Sequence, residues 1–397
     1  MHRRFWVLVH RCAGLYLAIF LVIAGASGSL LAFFSELNDR FQLGFMHVEA
    51  DGRDMIDPFE LRERALLRAP GIFIDSVDLT RTPERSYVAW VRHRAEREPD
   101  DTPFSVIILD PYSGQELARR VQGNSWPPTT EAIMEFVYAL HYRLLLNQIG
   151  IWLFGVAALI WTADCFVGFF LTLPAISSGK GQAPVRRRSW PSRWGVAWRV
   201  RWRASRFRLH FDLHRASGLW VWPLLLVFAL SAVSFNLKSE VYEPLMKTVF
   251  GFENVEDGIA PLPAPRDQPI MAWRDAHAAA RTLMEQAALQ QGFRIIRENM
   301  LSYHPDRGIF SYRVLSDKDV NQRFGATTLY MRDGNAERLG LSLPSGQNAA
   351  RTFTTWIRTI HTAAVGGLLM QVLVSALGLF VVVISLTGVV IFARKRR

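Results

Sequence analysis

The chain has 397 residues, long enough for two or three domains, and half of them are apolar, which argues against a wholly water-soluble protein. Its two cysteines, Cys12 and Cys165, are too few for a disulfide framework, and the absence of a CxxCH motif excludes covalent attachment of c-type haem in the usual way. The net charge of +11 is concentrated in short segments beside apolar runs, so membrane topology explains it better than nucleic-acid binding does.

Four apolar runs each exceed the roughly 20 residues that a membrane-spanning helix needs. They cover approximately residues 5–34, 146–173, 216–237 and 365–393. The first run follows Arg3 and Arg4 as a secretory signal does, but it is too long for one and is repeated by the third run. We therefore predict four transmembrane helices, of which the first is an uncleaved anchor.

The basic residues predict the orientation of these helices. The segment between Leu173 and His210 has no acidic residue and carries Lys180, Arg186, Arg187, Arg188, Arg193, Arg199, Arg201, Arg203, Arg206 and Arg208. The N-terminus carries Arg3 and Arg4, and the C-terminus is Arg394-Lys395-Arg396-Arg397. The positive-inside rule places these segments in the cytoplasm. We thus predict that the acid-containing regions, 35–140 and 238–355, lie on the opposite side of the membrane.

Both outside regions have an α+β pattern. In the first, Asp57 and Pro58 begin a helix to residue 67, strand-like runs cover 72–79, 86–91, 104–110 and 115–119, and Asp110-Pro111-Tyr112-Ser113-Gly114 is a turn. In the second, a helix over Trp273–Gln291 precedes strands at 294–303, 308–316 and 326–331. Each region is expected to pack one helix against a small antiparallel sheet.

The chain contains an internal repeat that singles out four histidines. His10-Arg11-Cys12-Ala13-Gly14-Leu15 returns as His214-Arg215-Ala216-Ser217-Gly218-Leu219. His141 and His361 are related by a second, slightly longer shift along the chain, and each is followed by a glycine at the same distance downstream, Gly168 and Gly388. Two copies of one unit, each with two membrane helices around a polar domain, explain both relationships.

The paired His-Arg-x-x-Gly-Leu openings, the helix-then-strands order outside and the Asp-Pro-Tyr-Ser-Gly turn resemble the PepSY-associated transmembrane proteins over nearly the whole chain. The resemblance implies an α-helical membrane protein with a four-helix transmembrane bundle of two pseudo-symmetric halves and two α+β PepSY-like periplasmic domains. The implied boundaries are 1–34, 136–173, 210–237 and 353–397 for the helices with the cytoplasmic tail, 35–135 and 238–352 for the domains, and 174–209 for the basic loop. Members of this family include inner-membrane ferrisiderophore reductases with two b-type haems.

The four repeated histidines are the predicted metal ligands. Ionisable residues at or inside the lipid boundary are functional candidates, and imidazole suits haem iron. His10 with His214, and His141 with His361, are therefore expected to form one bis-histidine haem b site near each membrane face. No cysteine or carboxylate stands at a spacing that favours a tetrahedral zinc site.

The neighbours of these histidines complete the predicted cofactor sites. Gly14 and Gly218 lie four residues after His10 and His214, on the same helix face, and let a flat macrocycle approach the backbone. Four arginines, Arg11, Arg215, Arg143 and Arg358, flank the histidines and suit haem propionates. No catalytic residue is assigned.

Two further residues leave alternatives open. His210 precedes His214 by one helical turn and is a competing ligand, although it lies in the Arg-rich loop. Asp164 is the one acid well inside a predicted span, and burying it is costly unless it is paired. It either handles protons or contacts a quinol, or it forms a hydrogen bond with a neighbouring helix.

The residues alone argue for transmembrane electron transfer, and the resemblance supplies the acceptor, an Fe(III)–siderophore reduced to Fe(II) in the periplasm for iron uptake. The electron donor is expected to be a quinol or a separate reductase, because no G-x-G-x-x-G follows a strand. Two alternatives stay open: a haem b protein that serves another periplasmic acceptor, and a haem-free PepSY-type binding or regulatory membrane protein. Membrane lipid is the only other expected partner.

Overall fold

The computed structural model describes residues 3–50, 52–93, 104–121, 128–175, 189–251 and 254–395. Lys180, Arg186, Arg187 and Arg188 of the basic loop, and Arg396 and Arg397, lie outside these ranges. The chain divides into two compact units. The first contains residues 1–33, 137–242 and 360–397, and the second contains residues 34–136 and 243–359.

The described residues form thirteen α-helices and ten strands. The helices are α1 (Arg3–Leu31), α2 (Phe34–Phe41), α3 (Leu43–Met46), α4 (Pro58–Arg68), α5 (Ile133–Arg143), α6 (Asn147–Thr172), α7 (Trp190–Trp194), α8 (Arg206–Trp220), α9 (Trp222–Asn236), α10 (Glu243–Phe250), α11 (Trp273–Gln291), α12 (Ala349–His361) and α13 (Gly367–Lys395). The strands are β1 (Ile72–Phe73), β2 (Ser76–Asp78), β3 (Tyr87–Trp90), β4 (Arg92–His93), β5 (Val106–Leu109), β6 (Glu116–Arg120), β7 (Ile295–His304), β8 (Ile309–Ser316), β9 (Thr327–Arg332) and β10 (Arg338–Ser342).

The first unit contains the membrane helices. Among the described residues, α1, α6 and α13 are each long and apolar enough to cross a membrane, and α8 and α9 together pass the same test as a pair bent by 70°. The chain is therefore a membrane protein with three such helices, or four if the bent pair is one span. Within this unit α1 packs against α13 and α6, and α6 packs against α9.

The bend between α8 and α9 distinguishes the two copies of the repeat. The third span was predicted as one helix, but it breaks at Val221, whereas α1 is continuous. The shift that takes His10 to His214 places Pro223 where the first copy has Ile19. Proline lacks the N–H that would bond to the carbonyl of the preceding turn, and its ring clashes with that turn, so the helix breaks in one copy only.

Helices α1 and α13 make a close glycine crossing. A Cβ atom added to Gly25 would lie 2.6 Å from the carbonyl oxygen of Gly378, and one added to Gly378 would lie 2.6 Å from the carbonyl oxygen of Gly25. The hydroxyl of Ser29 also donates across the contact to the carbonyl of Ser375 at 2.9 Å. Small residues that let two backbones approach are the usual means of helix association in lipid, where the hydrophobic effect is absent.

A larger side chain at this crossing should destabilise the first unit. We expect Gly378→Leu to lower the free energy of unfolding by about 1–3 kcal/mol or more, because the side chain overpacks a backbone contact that cannot yield. The measurement is denaturant unfolding in detergent micelles. Val383→Leu is the matched control, since Val383 is in the same helix and 55% exposed. Equal midpoints for the two variants would contradict the crossing.

The described part of the second unit contains three antiparallel sheets. Five strands are ordered β10-β9-β8-β7-β2, three are ordered β3-β5-β6, and β1 pairs with β4. The prediction of a separate sheet for each outside region is therefore wrong at β2, where Val77 pairs with Leu301 of β7. The predicted strand 72–79 is divided at Asp75, whose carbonyl accepts from the N–H of Tyr303 and whose carboxylate accepts from Arg92.

Most other elements of the second unit agree with the sequence. The predicted helix Trp273–Gln291 is confirmed, and Gly292 ends it in the left-handed conformation (φ +65°). Asp57 caps α4 by accepting from the N–H of Phe59 at 2.9 Å, with Pro58 at the first position. The predicted turn forms as Asp110 accepts from the N–H of Tyr112 at 2.7 Å. Strand β10 was not predicted.

Candidate functional site

Two of the four repeated histidines lie on short helices that precede the spans. His141 and His361 were predicted to begin continuous apolar helices, but His141 lies near the C-terminal end of α5 and His361 is the last residue of α12. In both copies the chain then breaks before the long helix begins. The break residues have positive φ angles: Leu144 (53°), Leu145 (60°) and Asn147 (50°) after α5, and Ala363 (50°), Gly366 (73°) and Gly367 (58°) after α12.

The structure brings His10 of α1 next to His214 of α8, and we call these two residues the His10 pair. Their ring centroids are 6.2 Å apart and the ring planes are inclined by 54°. The Nδ1 atom of His10 is 2.8 Å from Oδ1 of Asp164 in α6, and Nδ1 of His214 is 3.2 Å from the carbonyl oxygen of Ile384 in α13. The pair thus joins the two copies of the repeat.

His141 and His361 form a second pair, which we call the His141 pair. Their ring centroids are 6.1 Å apart and their planes are inclined by 74°. The Nδ1 atom of His141 is 3.0 Å from the Ser27 hydroxyl, and Nδ1 of His361 is 2.6 Å from the Ser231 hydroxyl. Phe228 stacks on His361 with a centroid distance of 4.7 Å. This pair also takes one histidine from each copy.

The hydrogen bonds fix which nitrogen of each ring is available to a metal. The ionised carboxylate of Asp164 and the carbonyl of Ile384 can only accept, and the hydroxyl of Ser27 donates its own proton to a carbonyl, that of Ile23 at 2.6 Å. The hydroxyl of Ser231 lies 2.6 Å from Nδ1 of His361 and 3.0 Å from the carbonyl of Phe228, so it can donate to either of them. His10, His141 and His214 are therefore held with the proton on Nδ1, and in all four rings Nδ1 is the nitrogen that bonds to the protein. Among the described residues nothing hydrogen-bonds to their Nε2 atoms, and this arrangement is typical of metal-ligating histidine.

The spacing within each pair fits two imidazoles on opposite sides of one metal ion. An imidazole nitrogen bonds a first-row metal at about 2.0–2.1 Å, and the ring centre lies about 1.1 Å further, so trans ligands place their centroids about 6.3 Å apart. The observed separations are 6.2 Å and 6.1 Å. Both pairs fit a bis-histidine iron site.

Glycines pack directly against three of the rings. A Cβ atom added to Gly168 would lie 3.4 Å from Cε1 of His10, and one added to Gly388 would lie 3.3 Å from Cε1 of His214. A Cβ atom at Gly28 would lie only 2.9 Å from Cε1 of His141. A side chain at Gly28 would therefore displace the imidazole of His141, one at Gly388 would crowd that of His214, and a Cβ at Gly168 would be in van der Waals contact with His10.

Gly14 and Gly218 have a different environment. A Cβ atom added to either would meet no described atom within 4 Å. Each glycine follows its histidine by one helical turn, so the open space lies on the same face as the imidazole. The assignment of these two glycines to a cofactor site stays a prediction.

The two pairs are separated along the helices by most of a membrane thickness. His10 and Ser27 both lie in α1, one near each end of the helix. A helix rises about 1.5 Å per residue, so the interval between them is about 26 Å, and the hydrocarbon core of a bilayer is about 30 Å thick. Since Ser27 contacts His141, the pairs lie near opposite ends of α1.

The four predicted arginines have different surroundings. The guanidinium of Arg215 donates to the carbonyls of Val196 and Ala197 and to Asp212, so the structure does not support its assignment to a propionate. Arg11 lies over the ring of Phe392 at 5.1 Å. Arg143 ends α5 and Arg358 precedes His361 in α12 by about one turn, and their assignment stays a prediction.

The competing ligand His210 lies in α8, and its Nδ1 is buried without a hydrogen-bond partner among the described residues. His210 is not a member of either ring pair. Cys165 is buried in α6, and its carbonyl accepts from the indole N–H of Trp222 at 2.8 Å. Cys12 is exposed in α1.

Ser27 and Ser231 are site residues that the sequence reasoning missed. Both contact a histidine of the His141 pair through Nδ1, and they are related by the same shift along the chain that relates His10 to His214. The signal was thus present in the repeat. It is weak because serine is common in membrane helices, where it bonds to a carbonyl of the preceding turn.

The second unit has a separate small cleft of about 240 Å³. Its polar wall includes His277, whose Nε2 donates to the carboxylate of Glu298 at 2.8 Å, and this hydrogen bond lowers the pKa of the Glu298 carboxyl. Arg274 pairs with Asp57 at the rim. The volume is below the roughly 300–1,000 Å³ of pockets that enclose a drug-sized ligand, so this cleft can hold only part of such a molecule.

Comparison with known proteins adds one finding. The family model described as the PepSY-associated TM region matches residues 7–395, nearly the entire chain. A search of curated proteins found no match. The matched region includes both histidine pairs and both units.

Proposed function

The chain belongs to the PepSY-associated transmembrane family, and from that premise we propose that it carries electrons across a membrane through two b-type haems and reduces an Fe(III)–siderophore. The observation that carries the proposal is the geometry of the two histidine pairs. In each pair the two imidazoles are spaced to hold one iron between them, and every Nδ1 is engaged in a hydrogen bond, which would leave Nε2 for the metal.

The chain's own residues would hold and separate the two centres. Haem supplies a one-electron Fe(III)/Fe(II) couple when it is bound. His10 and His214 would hold one group and His141 and His361 the other, and each site would join the two copies of the repeat. Gly168, against His10, fixes the orientation of that ring. Two centres about 26 Å apart along α1 divide a membrane crossing that one cofactor cannot span.

The orientation in the membrane follows from charge. The basic residues 193–208 lead into the N-terminal end of α8, the helix that carries His214, and residues 174–209 include no acidic residue. The positive-inside rule then puts both termini and the His10 pair on the cytoplasmic side of a bacterial inner membrane. Under this orientation α8 and α9 complete a four-helix transmembrane bundle, and the PepSY-like second unit is periplasmic.

The acceptor is the part of the proposal that rests on the resemblance. Ferric iron is held by the hard oxygen ligands of many siderophores, and the softer, less charge-dense Fe(II) is held weakly, so reduction releases the metal for uptake. One electron per iron is required. The donor on the cytoplasmic or membrane side is a quinol or a separate reductase, because no dinucleotide-binding motif is present in the sequence.

Anaerobic mixing tests this activity. We expect the dithionite-reduced protein, freed of excess reductant, to be reoxidised by a ferrioxamine-type complex with one electron delivered per iron released. Stopped-flow absorption of the Soret band and trapping of Fe(II) by a ferrous chelator measure the two sides of the reaction. Reduced haem that persists with the ferric complex but is oxidised by another periplasmic acceptor would favour the alternative electron-transfer role.

The open space at Gly14 and Gly218 gives a prediction that separates folding from cofactor binding. The double variant Gly14→Leu/Gly218→Leu meets no described atom near its Cβ positions, and leucine favours a helix over glycine by about 0.5–1 kcal/mol per residue. We expect a folded, monodisperse protein that lacks the haem of the His10 pair. Size-exclusion chromatography and haem content measure the two properties. Full haem content in this variant would show that the macrocycle lies elsewhere.

A further inference from the structure

The four histidines differ in the group that hydrogen-bonds to Nδ1. In the His141 pair both partners are neutral hydroxyls, those of Ser27 and Ser231, with the carbonyl of Ala24 as an additional acceptor 3.1 Å from His141. In the His10 pair one acceptor is a neutral carbonyl, that of Ile384, and the other is a carboxylate, that of Asp164. One ring of the four is therefore bonded to a charged group.

The repeat shows that this charge is an asymmetry between equivalent positions. The shift along the chain that takes His141 to His361 also takes Asp164 to Ile384. The same site in the two copies thus supplies a carboxylate to one histidine and a main-chain carbonyl to the other. Main-chain bonding meets the need to hold the ring, so the carboxylate adds something other than position.

The Asp164 carboxylate is enclosed as well as bonded. Its side chain is 10% exposed, and His10 is its hydrogen-bonding partner among the described residues. Burying a carboxylate costs free energy unless a partner compensates its charge, and hydrogen bonds to an ionised group are about twice as strong as those between neutral groups. A carboxylate on Nδ1–H makes the opposite nitrogen of a metal-bound imidazole a stronger donor.

We propose that Asp164 acts through His10 to lower the reduction potential of the iron held by the His10 pair below that of the iron held by the His141 pair. The inference rests on the proposed function, because it requires iron at both pairs. A stronger imidazole donor stabilises Fe(III) relative to Fe(II), and hydrogen bonding to an axial ligand is one of the means by which proteins set haem potentials.

The consequence is a direction for electron flow. One electron lost at the lower-potential site of the His10 pair is gained at the higher-potential site of the His141 pair, so transfer from the side of the basic loop to the other side is downhill. No proton and no further reactant enters this balance. The hydroxyls of Ser27 and Ser231 hold their rings without adding charge, which keeps the potential of the receiving site higher.

Spectroelectrochemical titration of the full-length, haem-loaded protein tests the inference. We expect two midpoints in the wild type. Asp164→Asn keeps an acceptor oxygen but loses the charge, and in this variant the lower midpoint potential should rise by about 59 mV. At a fixed potential, the reduced-to-oxidised ratio of the haem of the His10 pair then increases about tenfold. Asp164→Glu should keep the lower midpoint, and Ser27→Ala should leave it unchanged.

Several results would overturn the assignment. Two haems with unchanged midpoints in Asp164→Asn, or a shift confined to the upper midpoint, would do so. If Asp164→Asn loses haem, the proposal is tested on the oxidised wild-type protein. Its two haems should then give near-infrared charge-transfer bands at two different energies, and a single band energy would contradict the proposal. A wild-type protein that binds no haem would instead refute the proposed function, so the two failures are distinguishable.

Discussion

The double variant His141→Ala/His361→Ala should purify with one haem per chain instead of two, and His10→Ala/His214→Ala should do the same. The ring centroids of the two pairs lie 6.1 Å and 6.2 Å apart, a spacing that fits one iron between the two imidazoles. Without both imidazoles the chain would hold the macrocycle by packing contacts alone. The pyridine haemochrome ratio of haem to protein measures the loss, and all four substitutions together should give a colourless protein.

Two histidines serve as matched controls for this experiment. His210 is one turn before His214 in the same helix, and His304, in the second unit, bonds to the hydroxyl of Ser311 at 2.8 Å. We expect His210→Ala and His304→Ala to keep both haems. Two haems retained in either double variant would contradict the ligand assignment. So would loss of the haem of the His10 pair in His210→Ala together with its retention in His214→Ala.

Ferric reduction should disappear in His141→Ala/His361→Ala even when the other site is fully reduced. In the proposed orientation the His141 pair is the centre nearer the periplasm, and without it no cofactor stands between the His10 pair and the periplasmic face of the roughly 30 Å core to receive the electron. We expect the rate of Fe(II) release from a ferrioxamine-type complex to fall to the background without protein. Anaerobic stopped-flow mixing with a ferrous chelator measures the rate.

The matched comparison is Ser231→Ala, which removes the hydroxyl bonded to His361 and leaves both imidazoles. This variant should keep two haems and most of the wild-type rate. Fast reduction of the ferric complex by the variant that lacks His141 and His361 would show that electrons leave by another route. The proposed order of the two centres would then be wrong.

The sequence predicted which histidines come together because the evidence for them is positional. The two shifts that relate the copies of the repeat select His10, His214, His141 and His361 without any knowledge of packing, and the structure brings them together in the predicted pairs. The first shift would also have identified Ser27 and Ser231. Their role depends on which acceptor faces each Nδ1, and that is a property of helix packing.

The breaks before α6 and α13 were not predictable from the apolar pattern. Leu144 and Leu145 adopt positive φ angles, which L-residues avoid, so tertiary contacts must impose them. The amide of Asn236 donates to the carbonyl of Tyr142 at 3.0 Å, and this contact comes from the end of α9, which is distant in sequence. Hydropathy continues through the break and therefore predicts one helix.

The strand β2 illustrates the same limit in the second unit. Residues 72–79 have the composition of one strand, but β1 and β2 pair with β4 and β7, and β7 belongs to the second copy of the repeat. Local propensity determines that these residues are extended. The choice of partner depends on burial of Val77 among residues of the second copy, including Leu301, which the local pattern does not contain.

The pyridine haemochrome assay on the purified wild-type protein tests the central claim most directly. Two imidazole pairs, each spaced for one iron and each with Nδ1 engaged, predict two b-type haems per chain with low-spin ferric spectra. A protein that is folded and colourless after expression with ample haem would contradict the account.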